Sequence, residues 1–161
     1  MLKELCLSKS ELGEPENGFL GSWFANLFRL ERRKCVLFTN DRTLYSVLLY
    51  SLRKADFDNL GKRFVAGLTA NLQRDGFPAE TIASIGMACH PVAWGATNDR
   101  SVLGSMNDMV SCSRYMVALR RQEPELEVAH LNHELNRTPM SALKLVVAIE
   151  EMRAALKEWS P

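Results

Sequence analysis

Residues 21–50 read GSWFANLFRLERRKCVLFTNDRTLYSVLLY and contain three apolar segments in close succession. The segments SWFANLFRL, KCVLFTN and TLYSVLLY are typical of β-strands, and polar turns at Glu31 to Arg33 and Asn40 to Arg42 separate them. A parallel crossover needs a dozen or more residues, far more than these turns provide. The three segments are therefore predicted to form an antiparallel meander.

The first segment is apolar on both sides when it is extended. Trp23, Ala25 and Leu27 would face one side, and Phe24, Asn26 and Phe28 would face the other. Such a sheet must be covered on both faces, or by a partner on one of them. A helix is the alternative for this segment, because Phe24, Leu27 and Phe28 also share a helical face.

Helical periodicity and capping residues predict the remaining elements. They are a strand over 2–7, a helical turn opened by the capping box of Ser8 and Glu11, a helix from Asp56 or Asp58 to Asp75, a short helix from Pro78, a strand over 92–97, a helix capped by Thr97 or Asn98, a helix over 124–135, and a last helix with Thr138 as cap and Pro139 at its first position. The expected fold class is α+β, an antiparallel β-meander packed against several helices, with a C-terminal helical pair.

Length and charge exclude several classes of protein. The 161 residues suit a single domain over 1–161, and the net charge of +1 provides no global attraction to nucleic acid or to anionic lipid. No apolar run approaches the ~20 residues of a membrane span, and the N-terminus is too polar for a signal peptide, so we expect no membrane association. Cys6, Cys35, Cys89 and Cys112 form no C-x-x-C pair. Free thiols in the cytoplasm are expected, the alternative being disulfides in a secreted protein.

Two segments resemble a family of uncharacterised bacterial domains. The first runs from Trp23-x-x-Asn26-Leu27 through RKCVLFTN at 33–40 to TLYSV at 43–47, and the second is TNDRSVLGSMND at 97–108. The resemblance covers roughly residues 2–110 and implies one bacterial, cytoplasmic domain whose polar segments matter. It assigns no activity, and it leaves 111–161 as a helical C-terminal part outside the resembling core 1–110.

The strongest candidate site is the start of the helix that follows residue 97. Asn98, Asp99, Arg100 and Ser101 lie where free backbone N–H groups and the helix dipole favour an anion, and Arg100 would add a bidentate contact to phosphate or carboxylate. In the alternative interpretation, Asn98 only caps the helix and Arg100 pairs with a nearby acid.

Polar residues continue along the same predicted helix. Ser101, Ser105 and Asp108 fall near one helical face, with Asn107 beside them. This strip would line a pocket, or it would be the solvated face of the helix.

A second candidate is the basic tip of the meander. Arg32, Arg33 and Lys34 would form a compact group able to contact phosphates. Charged residues at hairpin tips also serve simply to face water and to protect sheet edges.

The histidines give little support for metal or nucleophilic chemistry. His130 and His133 stand one helical turn apart, but no second ligand pair accompanies them. His90 follows Cys89, and adjacent side chains seldom meet as a thiol and its base. No catalytic residue, metal or cofactor is therefore assigned.

Two functions remain open from the sequence. The first is a noncatalytic binding or protein-interaction domain, with a protein partner or a homodimer, that uses the 98–108 edge and the meander as contact surface. The second is a phosphate-directed domain that binds nucleotide or nucleic acid through Arg100 and the helix N-terminus at Asn98. The first is favoured, because a base, a metal set and a glycine-rich phosphate loop are missing.

Overall fold

The computed structural model describes residues 5, 12–13, 19–89, 92–96, 99–119 and 128–158. Its regular elements, in chain order, are β1 (Trp23–Leu30), β2 (Arg33–Asn40), β3 (Ser46–Leu52), α1 (Lys54–Phe57), α2 (Leu60–Arg74), α3 (Ala79–Ala88), α4 (Arg100–Leu119), α5 (Val128–Leu135), a 3-10 turn (Ser141–Leu143) and α6 (Ala148–Lys157). The α+β class with C-terminal helices, predicted from the sequence, is confirmed.

The three strands form an antiparallel sheet with β2 in the middle. Leu30 pairs with Arg33 across the first turn, so that Glu31 and Arg32 alone make the turn. Their φ values of 46° and 67° are left-handed, as a two-residue type I′ hairpin turn requires. The predicted meander is confirmed, and the helical alternative for its first segment is wrong.

The third strand begins later than the sequence pattern indicates. Strand was predicted over 43–50, whereas β3 starts at Ser46 and continues to Leu52. The buried Asn40 side chain explains the delay, because its Oδ1 accepts hydrogen bonds from the backbone N–H groups of Arg42 and Thr43 at 3.2 and 3.0 Å. These bonds fix a turn where the β-like residues Thr43 and Leu44 would otherwise extend the strand.

Helices of the same chain cover both faces of the sheet. On one face, the Phe64 ring of α2 lies 5.0 Å from the Trp23 ring and 4.4 Å from the Phe38 ring, measured between centroids. On the other face, the Met109 sulfur of α4 lies 3.1 Å from Ser46 Oγ and 3.8 Å from Thr39 Oγ1. A sheet that is apolar on both sides is thus buried between two helical layers.

The strand predicted over 92–97 is not formed by residues 92–96, and residue 97 lies outside the described residues. Within the described residues 92–96, only Gly95 pairs, in a single parallel bridge with Gly13. The segment packs against α2 and the sheet instead. Val92 packs against Gly61, and the Trp94 ring lies 6.4 Å from the Phe38 ring. The apolar residues of this segment are thus explained by packing against α2 and the sheet, not by strand pairing.

The last helix begins nine residues later than predicted, at Ala148 instead of Pro139, with Val147 instead of Thr138 before it. Pro139 bridges to Val147, and the residues between them form a closed loop. Lys144 and Leu145 have φ values of 53° and 70°, which a right-handed helix excludes. The apolar spacing that suggested a continuous helix here belongs to a loop.

Two other helices differ in their bounds. The helix predicted from Asp56 or Asp58 is split into α1 and α2, and Asp56 accepts a 2.7 Å bond from the Arg53 N–H from within α1 rather than capping α2. The helix predicted over 124–135 is described from Val128 to Leu135. The predicted strand over 2–7 and the capping box of Ser8 and Glu11 lie outside the described residues, except Leu5.

Two helical glycines provide a matched test of this packing. A Cβ at Gly67 would lie 2.9 Å from Val47 Cγ1 and 3.1 Å from Leu49 Cδ2, whereas a Cβ at Gly104 would meet nothing within 4 Å. Gly104→Ala is expected to raise the free energy of unfolding by about 0.5–1 kcal/mol through helix propensity. Gly67→Ala is expected to lower it by about 1 kcal/mol or more, because α2 must move away from the sheet. Urea unfolding measures both, and a gain in stability for Gly67→Ala would contradict the close approach of α2 to β3.

Candidate functional site

The N-terminus of α4 is capped by Asp99. Its Oδ1 accepts hydrogen bonds from the backbone N–H groups of Ser101 at 2.8 Å and Val102 at 3.2 Å. The predicted caps Thr97 and Asn98 lie outside the described residues, and the capping role falls to Asp99, which satisfies two of the free N–H groups at the start of the helix.

This cap changes the chemistry expected of the site. The first-turn N–H groups proposed to hold a phosphate already hold a carboxylate, whose negative charge repels a second anion. Arg100 and Ser101 are exposed beside it. The structure therefore brings Asp99, Arg100 and Ser101 together, with an acid where the phosphate was expected.

The polar strip further along α4 is divided between core and solvent. Ser105 is buried, and its Oγ donates a 3.2 Å hydrogen bond to the Ser101 carbonyl one turn back. Asn107 and Asp108 are exposed. These residues share a helix without converging on one point.

The basic tip of the β1–β2 hairpin is spread out in a similar way. The Arg33 guanidinium donates to Ser51 Oγ at 2.9 Å and lies 5.7 Å from the Tyr50 ring. Lys34 Nζ lies 5.7 Å from the Phe57 ring, so these two cations pack on the neighbouring β3 and α1. Arg32 is exposed in the turn.

Polar groups converge elsewhere, at the outer edge of β3. Asn136 Oδ1 accepts the Ser46 N–H at 2.7 Å, and Asn136 Nδ2 donates to the Ser46 carbonyl at 2.9 Å. Asn132 repeats the pattern on Leu48, at 2.6 Å and 3.1 Å. Each side-chain amide thus makes the two bonds that a residue of a neighbouring strand would make.

The spacing of helix and strand permits this double match. Asn132 and Asn136 are four residues apart on α5, which separates them by about 6 Å along the helix. Ser46 and Leu48 are two residues apart on a strand, which separates them by about 6.6 Å. A helical i, i+4 pair therefore fits alternate residues of an extended strand.

A second buried cluster centres on Asp75, at the end of α2. Its carboxylate accepts a 2.5 Å hydrogen bond from Tyr45 Oη and a 2.8 Å hydrogen bond from the Arg137 guanidinium. His133 Nδ1 lies 3.7 Å from the same carboxylate, and the Arg153 guanidinium donates to the Asp75 carbonyl at 3.0 Å. The cluster joins β3, α2, α5 and α6 at one corner of the domain.

The cluster shifts the pKa of the tyrosine. Burial, with the Asp75 carboxylate as hydrogen-bond acceptor, raises the pKa of Tyr45 far above its usual value near 10. Burial also raises the pKa of the Cys35 and Cys89 thiols, which makes both poor nucleophiles near neutral pH.

Each of the two histidines of α5 lies near a different carboxylate, so they do not form a common site. His130 Nε2 lies 3.6 Å from Glu134 Oε1, while His133 faces Asp75, and the two rings are 6.3 Å apart between centroids. Within the described part of the chain, no group of three His, Cys, Asp or Glu residues is placed to hold a metal ion.

Sequence reasoning missed the roles of Asn132, Asn136 and Asp75. The two asparagines stand at i and i+4 within VAHLNHELN, beside Leu131 and Leu135, both of which are buried. That pattern places two amides next to the apolar face of a helix, where each needs a hydrogen-bond partner. This pair of amides, not the two histidines, is the feature of the segment that indicates its role.

α4 also carries apolar residues outside its buried face. Cys112, Tyr115, Met116 and Leu119 follow one another at i, i+3, i+4 and i+7, and we call them the α4 stripe. Tyr115 and Leu119 are 66% and 67% exposed, while Cys112 and Met116 are partly buried. The C-terminal half of this helix therefore presents an apolar surface to solvent.

Residues 1–151 match the family described as Domain of unknown function (DUF6933). The chain belongs to this family. The match extends past residue 110 and includes α5 and the start of α6, so the asparagines that bind β3 lie within the DUF6933 domain. No curated protein and no solved structure matches the chain. Among the described residues of this DUF6933 chain, no helix has the length and apolar character to cross a membrane.

The amide contacts on β3 generate a stability prediction. Asn136→Asp keeps the shape of the side chain but replaces the donor to the Ser46 carbonyl by a charged acceptor. The free energy of unfolding is expected to fall by about 2 kcal/mol, because the buried Ser46 carbonyl loses its 2.9 Å donor, keeps only the longer 3.5 Å bond from Asn71 Nδ2, and lies beside a desolvated charge. Asn107→Asp, the same change at an exposed position of α4, is expected to stay within about 0.5 kcal/mol. Equal urea midpoints for the two variants would refute the role given to Asn136.

The Tyr45 to Asp75 bond generates a pH prediction. The folded pKa of Tyr45 lies above the unfolded value near 10, so unfolding releases a proton at alkaline pH and stability is lost as pH rises above about 10. The slope contributed by this group approaches about 1.4 kcal/mol per pH unit. Tyr45→Phe is expected to be less stable at pH 7 and to lose less stability between pH 10 and 11. Parallel loss of stability in both proteins would show that Tyr45 does not titrate on unfolding.

Proposed function

We propose that this chain is a noncatalytic interaction domain that binds a protein partner. The observation that carries the proposal is the α4 stripe, which leaves a large aromatic and a large aliphatic side chain two-thirds exposed on a helix whose other apolar face is already buried. A second apolar face on a packed helix is typical of a protein contact surface.

The polar side chains of the domain support the same conclusion. Throughout the described residues, every buried side-chain nitrogen and oxygen atom has a hydrogen-bond partner. The two dense polar clusters, at Asn132 with Asn136 and at Asp75, use their hydrogen bonds to join elements of the fold. Both clusters therefore hold the fold together, and the α4 stripe is the surface proposed for recognition.

A bacterial, cytoplasmic setting is part of the proposal. Its support is the state of the cysteines, since Cys35, Cys89 and Cys112 are free thiols, as expected in a reducing compartment. A protein partner would then be another protein of the same compartment.

The phosphate-directed alternative has weaker support. Arg100 is exposed and available to an anion, but the Asp99 carboxylate already occupies the N–H groups of the first turn. A phosphate would have to displace a tethered acid, at an electrostatic cost.

A charge-matched pair of variants tests the proposed contact surface. The double variant Tyr115→Glu with Leu119→Glu changes the net charge by −2, and Arg114→Glu makes the same change at an exposed position of the same helix. The tagged protein and the Arg114→Glu control are expected to retain the same partner from an extract of the source cells. The double variant is expected to bind that partner at least tenfold more weakly while keeping its helical circular dichroism.

Two results would contradict the proposal. One is a partner that the double variant retains as tightly as the parent. The other is a rise in melting temperature with inorganic phosphate, nucleotides or short RNA and DNA that disappears in Arg100→Ala, since a ligand of the folded state raises the melting temperature. The second result would establish the phosphate-directed function in its place.

A further inference from the structure

The two outer edges of the sheet differ. On β3, the asparagine amides of α5 satisfy the outward backbone groups of Ser46 and Leu48. Beside β1, no strand of the described residues pairs with the outer edge. The β3 edge is closed by side chains at Ser46 and Leu48, whereas among the described residues the β1 edge has no neighbouring strand.

The hydrogen-bond pattern identifies the residues of β1 that face outward. Ser46 and Leu48 direct their backbone groups away from β2, so their partners Thr39 and Leu37 direct theirs toward β1. The residues bonded to them, Phe24 and Asn26, therefore face β2, and the alternate residues of β1 face outward. These outward residues are Trp23, Ala25, Leu27 and Arg29.

β1 has few of the features that protect an edge strand. It is eight residues long, contains no proline, and carries one charged residue, Arg29. Its residues Trp23 to Leu27 are neither fully buried nor fully exposed. Long apolar edges of this kind pair with another strand.

The sequence of β1 is complementary to itself when it is read antiparallel about Asn26. Trp23 then faces Arg29 of the second copy, an aromatic ring opposite a cation. Ala25 faces Leu27, which sets a small side chain against a large one, and Phe24 faces Phe28. In this register, residues whose backbone groups face outward lie opposite each other, namely Trp23 opposite Arg29 and Ala25 opposite Leu27. The two copies can therefore also form backbone hydrogen bonds.

We propose that two copies of this chain pair through β1, antiparallel about Asn26, to form a continuous six-stranded sheet. The dimer supplies the outer neighbour of β1 in the way that Asn132 and Asn136 supply that of β3. This contact is separate from the α4 stripe, so a monomeric chain would refute the dimer and leave the proposed binding of a protein partner standing.

A cysteine at the two-fold axis tests the register. Asn26 and its copy form a non-hydrogen-bonded pair, in which Cα atoms are about 4.5 Å apart, within the range of a disulfide. Asn26→Cys is expected to form a covalent dimer under mild oxidation, beyond the background that the native cysteines give in the parent. Arg32→Cys lies in the exposed turn of the same hairpin and is expected to remain at that background. Equal cross-linking of the two variants, or none in Asn26→Cys, would overturn the register.

Sedimentation velocity over a range of concentrations tests the dimer without a new cysteine. The parent is expected to dimerise reversibly, and Arg29→Ala to raise the dissociation constant about tenfold, equivalent to about 1.4 kcal/mol, because two cation–π contacts are lost. Arg32→Ala, the neighbouring arginine of the turn, is expected to leave it unchanged. A parent that stays monomeric at every concentration would overturn the proposal. Equal effects of the two arginine variants would do the same.

Discussion

The hydrogen bonding of the β3 edge is the constraint on which the rest of the structure depends. A three-stranded sheet has few ladder bonds, and each open edge exposes backbone groups that need partners. Asn132 and Asn136 meet this need on β3 with four bonds of 2.6–3.1 Å. Because the amides bind backbone at two points, they fix both the position of α5 along the strand and its rotation about its own axis.

The position of α5 determines the C-terminal third of the domain. With Asn136 fixed on β3, its own carbonyl accepts the Ile149 N–H at 3.1 Å and so orients the start of α6. The next residue, Arg137, binds the buried Asp75 at the end of α2. The loop between Pro139 and Val147 then closes the short distance between α5 and α6.

The sequence indicated the meander and the main helices because their evidence is local. Alternating apolar residues and very short turns predict antiparallel strands whatever the tertiary packing. Apolar residues at helical spacing likewise predict α2 and α4. The late start of β3 could not be predicted from local sequence. Thr43 and Leu44 favour a strand, and the hydrogen bonds of the buried Asn40 side chain hold them in a turn. The helix predicted from Thr138 failed for a related reason, because the left-handed Lys144 and Leu145 depend on tertiary closure of the loop.

The candidate site was less predictable than the fold. Asp99, Arg100 and Ser101 lie at the start of a helix, but the sequence pattern did not distinguish the acid that caps this helix from a ligand-binding residue. The most direct measurement of the account is amide hydrogen exchange of Ser46 and Leu48. Both N–H groups are predicted to be protected as strongly as that of Leu37 in the central strand, because side-chain amides bond them as a strand would. Exchange as fast as that of Arg32 in the exposed turn would show that the β3 edge is open, and the account would be wrong.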